Sequence, residues 1–218
     1  MPGDAPSIKG TCMGIPAEQL IASMDALAAL EPAFAAAIAQ HGYPAPRIRQ
    51  RGYATLVRTI VGQQVSVKAA EAMANKLDAL VGVDDPAAML AASDERLREA
   101  GMSRQKAGYL RSLAQEVSSG QLDLDHLPTD DEEAIAALVR IKGIGRWSAE
   151  IYLLFAEGRA DIWPAGDLAI QIAIGRMLGL TERPSEKAIR EWAEAWRPHR
   201  GAAAIFAWHS YGAAADPI

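Results

Sequence analysis

A single cysteine, Cys12, stands in a chain of 218 residues. One thiol excludes an internal disulfide, a zinc finger and a four-cysteine iron–sulfur cluster. Long apolar runs are missing as well. No stretch reaches the length of a membrane span, and the N-terminal MPGDAPSIKGTCMG lacks a basic-then-apolar signal pattern. The expectation is therefore a cytoplasmic protein with no membrane partner. Strand-like alternation is absent and β-branched runs are short, which leaves an all-α chain of roughly a dozen short helices. Net positive charge is lacking too: the formal charge is −5, which taken alone argues mildly against nucleic acid.

What is present is a globular composition, 50% hydrophobic and 22% charged, with the charge segregated along the chain. Acidic residues crowd at Asp84-Asp85, Asp94-Glu95 and 130–133. Basic ones gather at Arg47, Arg49 and Arg51, at Arg58 and Lys68, and at Arg140, Lys142 and Arg146. A local positive face matters more for phosphate than the sum. Leu20, Met24, Leu27 and Leu30 are spaced for one helix face, followed by an Ala-rich helix from about Pro32 to His41. A helix from Tyr53 runs into Gly62-Gln63-Gln64, and Ser66 caps the next, which carries Val67, Ala70, Ala74, Leu77 and Val81. Pro86, Ser93 and Ser103 each open a helix, and Thr129 to Glu132 has the spacing of a capping box. Residues 168–178 are apolar on nearly all sides apart from Gln171 and Arg176, as in a helix buried at a domain centre.

Residues 138–167, LVRIKGIGRWSAEIYLLFAEGRADIWPAGD, concentrate the chemistry. They read as a helix ending at Ile141, a tight Lys142-Gly143-Ile144-Gly145 turn and a second helix opening at Arg146. The two glycines permit positive φ and a close approach of backbone to another surface. The N–H groups at 145–147 then lie unpaired at a helix start, where a phosphate can sit. The alternative is a helix–turn–helix corner in which glycine serves sterics alone; Lys142 and Arg146, bracketing the glycines, favour phosphate. Asp167 heads the apolar helix and suits its N-cap, although Ile170 stands where a full capping box wants Glu or Gln. Alone, such an aspartate is more often a cap than a catalyst.

Hairpin, Gly/Pro-containing loop and aspartate in this order resemble the helix-hairpin-helix (HhH-GPD) DNA glycosylase superfamily, and in detail its AlkA-type 3-methyladenine DNA glycosylase II branch. Residues 56–66 (LVRTIVGQQVS), the hairpin with Trp147, and residues 196–208 (WRPHRGAAAIFAW) extend the match over about residues 16–212. The resemblance implies a two-lobed all-α fold with a central cleft and no β domain. Its expected divisions are a flexible tail over 1–15, one lobe from 16–51 with 166–218, and another over 52–165 holding wedge and hairpin. The implied partner is double-stranded DNA with a damaged base, bound by a monomer, at the nucleoid in a bacterium or in the nucleus of a eukaryote.

The implied activity is excision of alkylated purines of the 3-methyladenine and 7-methylguanine type, after the nucleotide is flipped out of the duplex. Asp167 would stabilise the oxocarbenium-like transition state. Trp147, Trp208, Trp163 and Tyr53 would line the base pocket, where aromatic faces attract a cationic base. Gln64 would be the wedge that fills the gap in the duplex. Lys142, Gly143, Gly145, Arg146 and Ser66 would hold the DNA backbone. Main-chain carbonyls of Val139, Ile141 and Ile144 would seat a structural monovalent or other hard cation; no other cofactor is implied, and no iron–sulfur cluster. Bifunctional members carry a Schiff-base lysine where this chain has Trp147, which implies a monofunctional enzyme leaving an abasic site. Ile151 replaces the pocket tyrosine of the best-known relatives. The residues themselves leave alternatives open: core packing for the tryptophans, preferred for Trp192 and Trp196, and a buried amide capping the Ser66 helix for Gln64. Rival functions are excision of hypoxanthine or an oxidised base, a non-catalytic helix-hairpin-helix DNA-binding protein, or a purely structural all-α protein.

Overall fold

A computed structural model of the protein describes residues 14–215. Cys12 and most of the expected tail lie outside the described residues. Gly14 and Ile15, assigned to that tail from sequence, are instead buried, Ile15 to 1% exposure. The described chain is helical, with only an isolated bridge residue at Gln50, and none of its helices is long and apolar enough to cross a membrane. In chain order, α1 (Ala17–Leu30) and α2 (Pro32–His41) precede α3 (Tyr53–Gly62), α4 (Val67–Leu80), α5 (Pro86–Ala91), α6 (Asp94–Glu99) and α7 (Arg104–Ser118). Then come α8 (Asp131–Val139), α9 (Arg146–Phe155), α10 (Leu168–Met177), α11 (Glu186–Trp192), a 3-10 turn (Ala193–Trp196) and α12 (Arg200–Ala215).

The chain divides into two compact units, one of residues 49–126 and one combining 14–48 with 127 onward. In the first, α3 buries Leu56, Val57, Ile60 and Val61, and α7 buries Ala107, Leu110, Leu113 and Ala114, the three-and-four spacing expected of core faces. Ser66, Ser93 and Ser103 each accept one backbone N–H of the following helix and Asp85 accepts two, so five orphan donors are satisfied where the sequence places Ser or Asp. Val67, read from its spacing as a buried residue of α4, is 86% exposed.

In the other unit α1 buries Leu20, Met24 and Leu27, while Leu30 at its C-terminal end is 57% exposed. α10 packs on α12. Trp196 meets Phe34 at 5.2 Å and Trp163 at 5.5 Å, both edge-on, the geometry the ring quadrupoles favour. Close approach at the start of α12 depends on Gly201, whose N–H bonds the Ala160 carbonyl at 2.8 Å; a Cβ there would stand 2.5 Å from that oxygen. Two expectations need correction. α8 is capped by Asp130 rather than Thr129, because the Asp130 carboxylate accepts from Glu133 N–H. The hairpin helices α8 and α9 belong with the terminal helices, not with 52–126. Phe155 meets Trp208 at 5.5 Å with the rings tilted, Glu150 lies 3.7 Å from Arg190, and Asp161 clamps Arg200 at 2.9 Å.

Candidate active site

The hairpin forms between α8 and α9. Ile141 N–H returns to Leu138 O at 3.1 Å and Ile144 N–H to Ile141 O at 3.0 Å, which closes the turn. Gly143 sits at φ +88°, a conformation that a side chain would strain. Gly145 differs: its φ of −88° suits any residue, and a Cβ there would meet nothing within 4 Å. Neither strain nor packing within the chain asks for glycine at 145. Bare backbone at that point leaves room for a ligand to approach the start of α9, which has no side-chain cap.

Arg146 does not offer the free cation expected of it. Its guanidinium donates to Glu132 through Nη1 at 2.8 Å and Nη2 at 2.5 Å, and its Nε donates to Glu150 at 2.9 Å. A fork held by two carboxylates has little left for phosphate, so the side chain is a brace between α8 and α9. Glu150 is 2% exposed; burial pushes its carboxyl above the usual carboxylate range against the opposing pull of Arg146 and Arg190. Lys142 is exposed on the turn.

At the head of α10 the two readings of Asp167 coincide. Its Oδ1 accepts Ile170 N–H at 3.0 Å, which is the cap, and its Oδ2 accepts the Trp147 indole Nε1–H at 2.8 Å. Twenty residues of sequence separate this pair, and the loop from α9 to α10 returns the chain so that they meet. Trp147, which touches the carboxylate, is 48% exposed, and Leu168, the next residue along the chain, is 56% exposed. Leu168 was missed from sequence, where it reads as one more apolar helix position. Gln171 was missed too. Buried to 6% exposure, it donates Nε2–H to Ala165 O at 2.8 Å and accepts from Arg183 at 2.7 Å, stapling the loop that carries Asp167. Its signal was present as the polar interruption of an apolar helix.

The remaining expected residues fall into separate groups. Trp163 is a correction: it is 3% exposed, its indole N–H bonds Ile189 O at 3.2 Å, and its ring packs on Trp196, so it is core. Trp208 is half-buried, with Phe155 on its ring and the Arg47 guanidinium 5.8 Å from its centroid. Ile151 is buried. In the unit of residues 49–126, Tyr53 is buried and its hydroxyl has no hydrogen-bond partner; burial first, then Asp85, pushes the phenol up. Gln64 is exposed and is the one non-glycine at positive φ (+57°) among the described residues. The buried-amide reading of Gln64 fails, because α4 is capped by Ser66 itself, whose Oγ accepts Ala69 N–H at 3.3 Å. That bond also commits Ser66 to the helix. No cluster of His, Cys, Asp or Glu among the described residues could hold a metal.

Comparison with known proteins is consistent with this geometry. Residues 57–198 match the family described as HhH-GPD superfamily base excision DNA repair protein. DNA-3-methyladenine glycosylase 1 of Schizosaccharomyces pombe is 31% identical over 167 residues, 73% of this chain and 72% of that protein. The crystal structure of a DNA-3-methyladenine glycosidase from Bacillus halodurans superposes with a TM-score of 0.80 at 31% identity, over 89% of this chain and 91% of that one. The 3-methyladenine DNA glycosylase Mag1 of Schizosaccharomyces pombe, in complex with abasic DNA, gives a TM-score of 0.73 at 27% identity, over 90% and 98% of the two chains.

Proposed function

The chain belongs to the HhH-GPD superfamily of base excision DNA repair proteins, and from that membership we infer that it is a DNA glycosylase that hydrolyses the bond between an alkylated purine and deoxyribose. The observation that carries the residue-level reading is the 2.8 Å hydrogen bond joining Trp147, on the second helix of the hairpin, to Asp167. One carboxylate fixed beside the sugar is what the reaction needs. As the bond from C1′ to the base nitrogen lengthens, its electron pair leaves on the base, which neutralises a cationic lesion, and positive charge develops on the sugar. A fixed anion beside that sugar stabilises the charge. Water adds its oxygen to C1′ and gives up a proton, which Asp167 would accept, leaving an abasic site and a free base.

An indole plane beside the acid gives a flat cationic base a surface on which to stack. No lysine stands at 147 to attack C1′, which supports base release without strand cleavage. The bare backbone at Gly143 and Gly145 would receive a DNA phosphate, a contact that positions the duplex without reading sequence. Gln64 would fill the space left by the extruded nucleotide. The main-chain carbonyls of Val139, at the end of α8, and of Ile141 and Ile144, in the turn, would supply neutral oxygens to a hard cation, Ile141 with the lone pair that Ile144 N–H leaves unused. Such an ion would add positive charge beneath the phosphate. The protein would act as a monomer on double-stranded DNA.

Mass spectrometry of bases released from methylated genomic DNA tests the reading. Wild type should release 3-methyladenine and 7-methylguanine, and Asp167→Asn should lose at least about 100-fold in rate while still binding DNA. Equal release by the two proteins would refute the role of Asp167. A covalent adduct trapped by borohydride would refute the monofunctional assignment.

A further inference from the structure

We propose that Trp147 is a positioning residue for the acid as well as a surface for the base: its indole N–H sets the orientation of the Asp167 carboxylate and so couples base occupancy to catalysis. The inference rests on the glycosylase reading for its kinetics and on geometry alone for its structure. Asp167 has two oxygens and the fold supplies one donor to each. Ile170 N–H holds Oδ1 at 3.0 Å and the Trp147 indole holds Oδ2 at 2.8 Å. With only the helix cap, the carboxylate could still swing about the bond to its anchored oxygen. The second donor, from a different helix, removes that freedom. A carboxylate that must face a charge appearing on one side of a sugar gains from being set beforehand.

The donor is also unusual for its exposure. Buried indoles commonly spend their N–H on a backbone carbonyl, as Trp163 does with Ile189. Trp147 spends it on a carboxylate while 48% of its own surface stays open. The ring is tied at its edge and open elsewhere, so a base stacked on it presses on the side chain that aims the acid. Trp147 itself sits one residue inside α9, directly after the hairpin turn. Movement of that turn on a DNA backbone would therefore be felt at Asp167 through one side chain.

The test separates the N–H from the ring. Trp147→Phe keeps an aromatic face and removes the donor, and Trp147→Leu removes both. Single-turnover base release and affinity for lesion-containing duplex are measured for each, with thermal melts to establish folding. The proposal expects Trp147→Phe to fall about 10- to 100-fold in rate with affinity within about twofold of wild type, and Trp147→Leu to lose affinity in addition. An unchanged rate in Trp147→Phe, or a loss of rate matched by an equal loss of affinity, overturns it. A structural readout stands apart from activity: the indole N–H resonance of Trp147, assigned by its loss in Trp147→Phe, should shift in Asp167→Ala. If wild type releases no base, the glycosylase reading fails and this resonance alone decides the positioning; an unmoved resonance overturns it.

Discussion

Asp167 gives each of its oxygens a different duty, and substitution can tell the duties apart. Asparagine retains an oxygen that can accept Ile170 N–H, and it is as good an N-cap as aspartate. Alanine retains none. Thermal or urea melts should therefore find Asp167→Asn within about 0.5 kcal/mol of wild type and Asp167→Ala destabilised by about 1 kcal/mol, although both lose base release. A large destabilisation in Asp167→Asn would mean that the Trp147 bond, which an amide NH2 in that place cannot accept, also holds the fold. Gln64 offers the converse case. At φ +57° it occupies a conformation that costs a side chain about 1 kcal/mol and costs glycine nothing. Gln64→Gly should leave stability unchanged or slightly raised, the relief of strain offset by the entropy of glycine, while single-turnover excision falls. A marked loss of stability would show that the amide serves its own unit. Both residues are legible from sequence as types in place; their second partners, Trp147 for the acid and a strained backbone for the wedge, are not.

At the level of elements, α9 is held by charge as well as by its apolar face. Arg146 links Glu132 on α8 to Glu150 on its own helix, and Arg190 of α11 approaches the same Glu150 oxygen. The two glutamates respond oppositely to pH. Burial raises the Glu150 carboxyl, so the folded state binds its proton more tightly; that contribution is complete below the ordinary carboxylate value and is lost as pH rises through the raised one. The Arg146 hydrogen bond lowers Glu132, whose contribution is present above the ordinary value and lost as pH falls through the depressed one. Urea midpoints from pH 3 to 8 should show wild type losing ground to Glu150→Gln as pH climbs above about 4.3. Against Glu132→Gln it should gain over the lower part of the same range, by no more than about 1 kcal/mol for so exposed a pair. Parallel profiles for all three proteins would contradict the assignment. Helix positions and caps follow from local spacing, which is why most boundaries were readable. Thr129 and Glu132 match the capping-box pattern, but Glu132 is bonded to Arg146 and the cap falls to Asp130.

For the whole molecule, a formal charge of −5 must be reconciled with a DNA substrate. Several arginines near the hairpin are engaged in ion pairs: Arg146 with Glu132 and Glu150, Arg197 and Arg200 with Asp161 and Glu194. Phosphate binding then falls to backbone amides and a few lysines and arginines, and its salt dependence should be shallow. The slope of log affinity against log salt should be about −3 to −4, Lys142→Ala should reduce it by about 1, and Arg146→Gln should leave it in place. A slope lowered equally by both substitutions would restore Arg146 to the interface. The sequence by itself determined the helices, most of their caps, the glycine turn, an aspartate at the head of α10 and the absence of a lysine at 147, because each depends on residue type and spacing within a few turns of chain. Only the tertiary structure decided which charges remain for a ligand, which tryptophan is core and which is open, and that the indole of Trp147 lies on Asp167. Those outcomes depend on which groups desolvate one another when distant segments pack, and no local pattern records that.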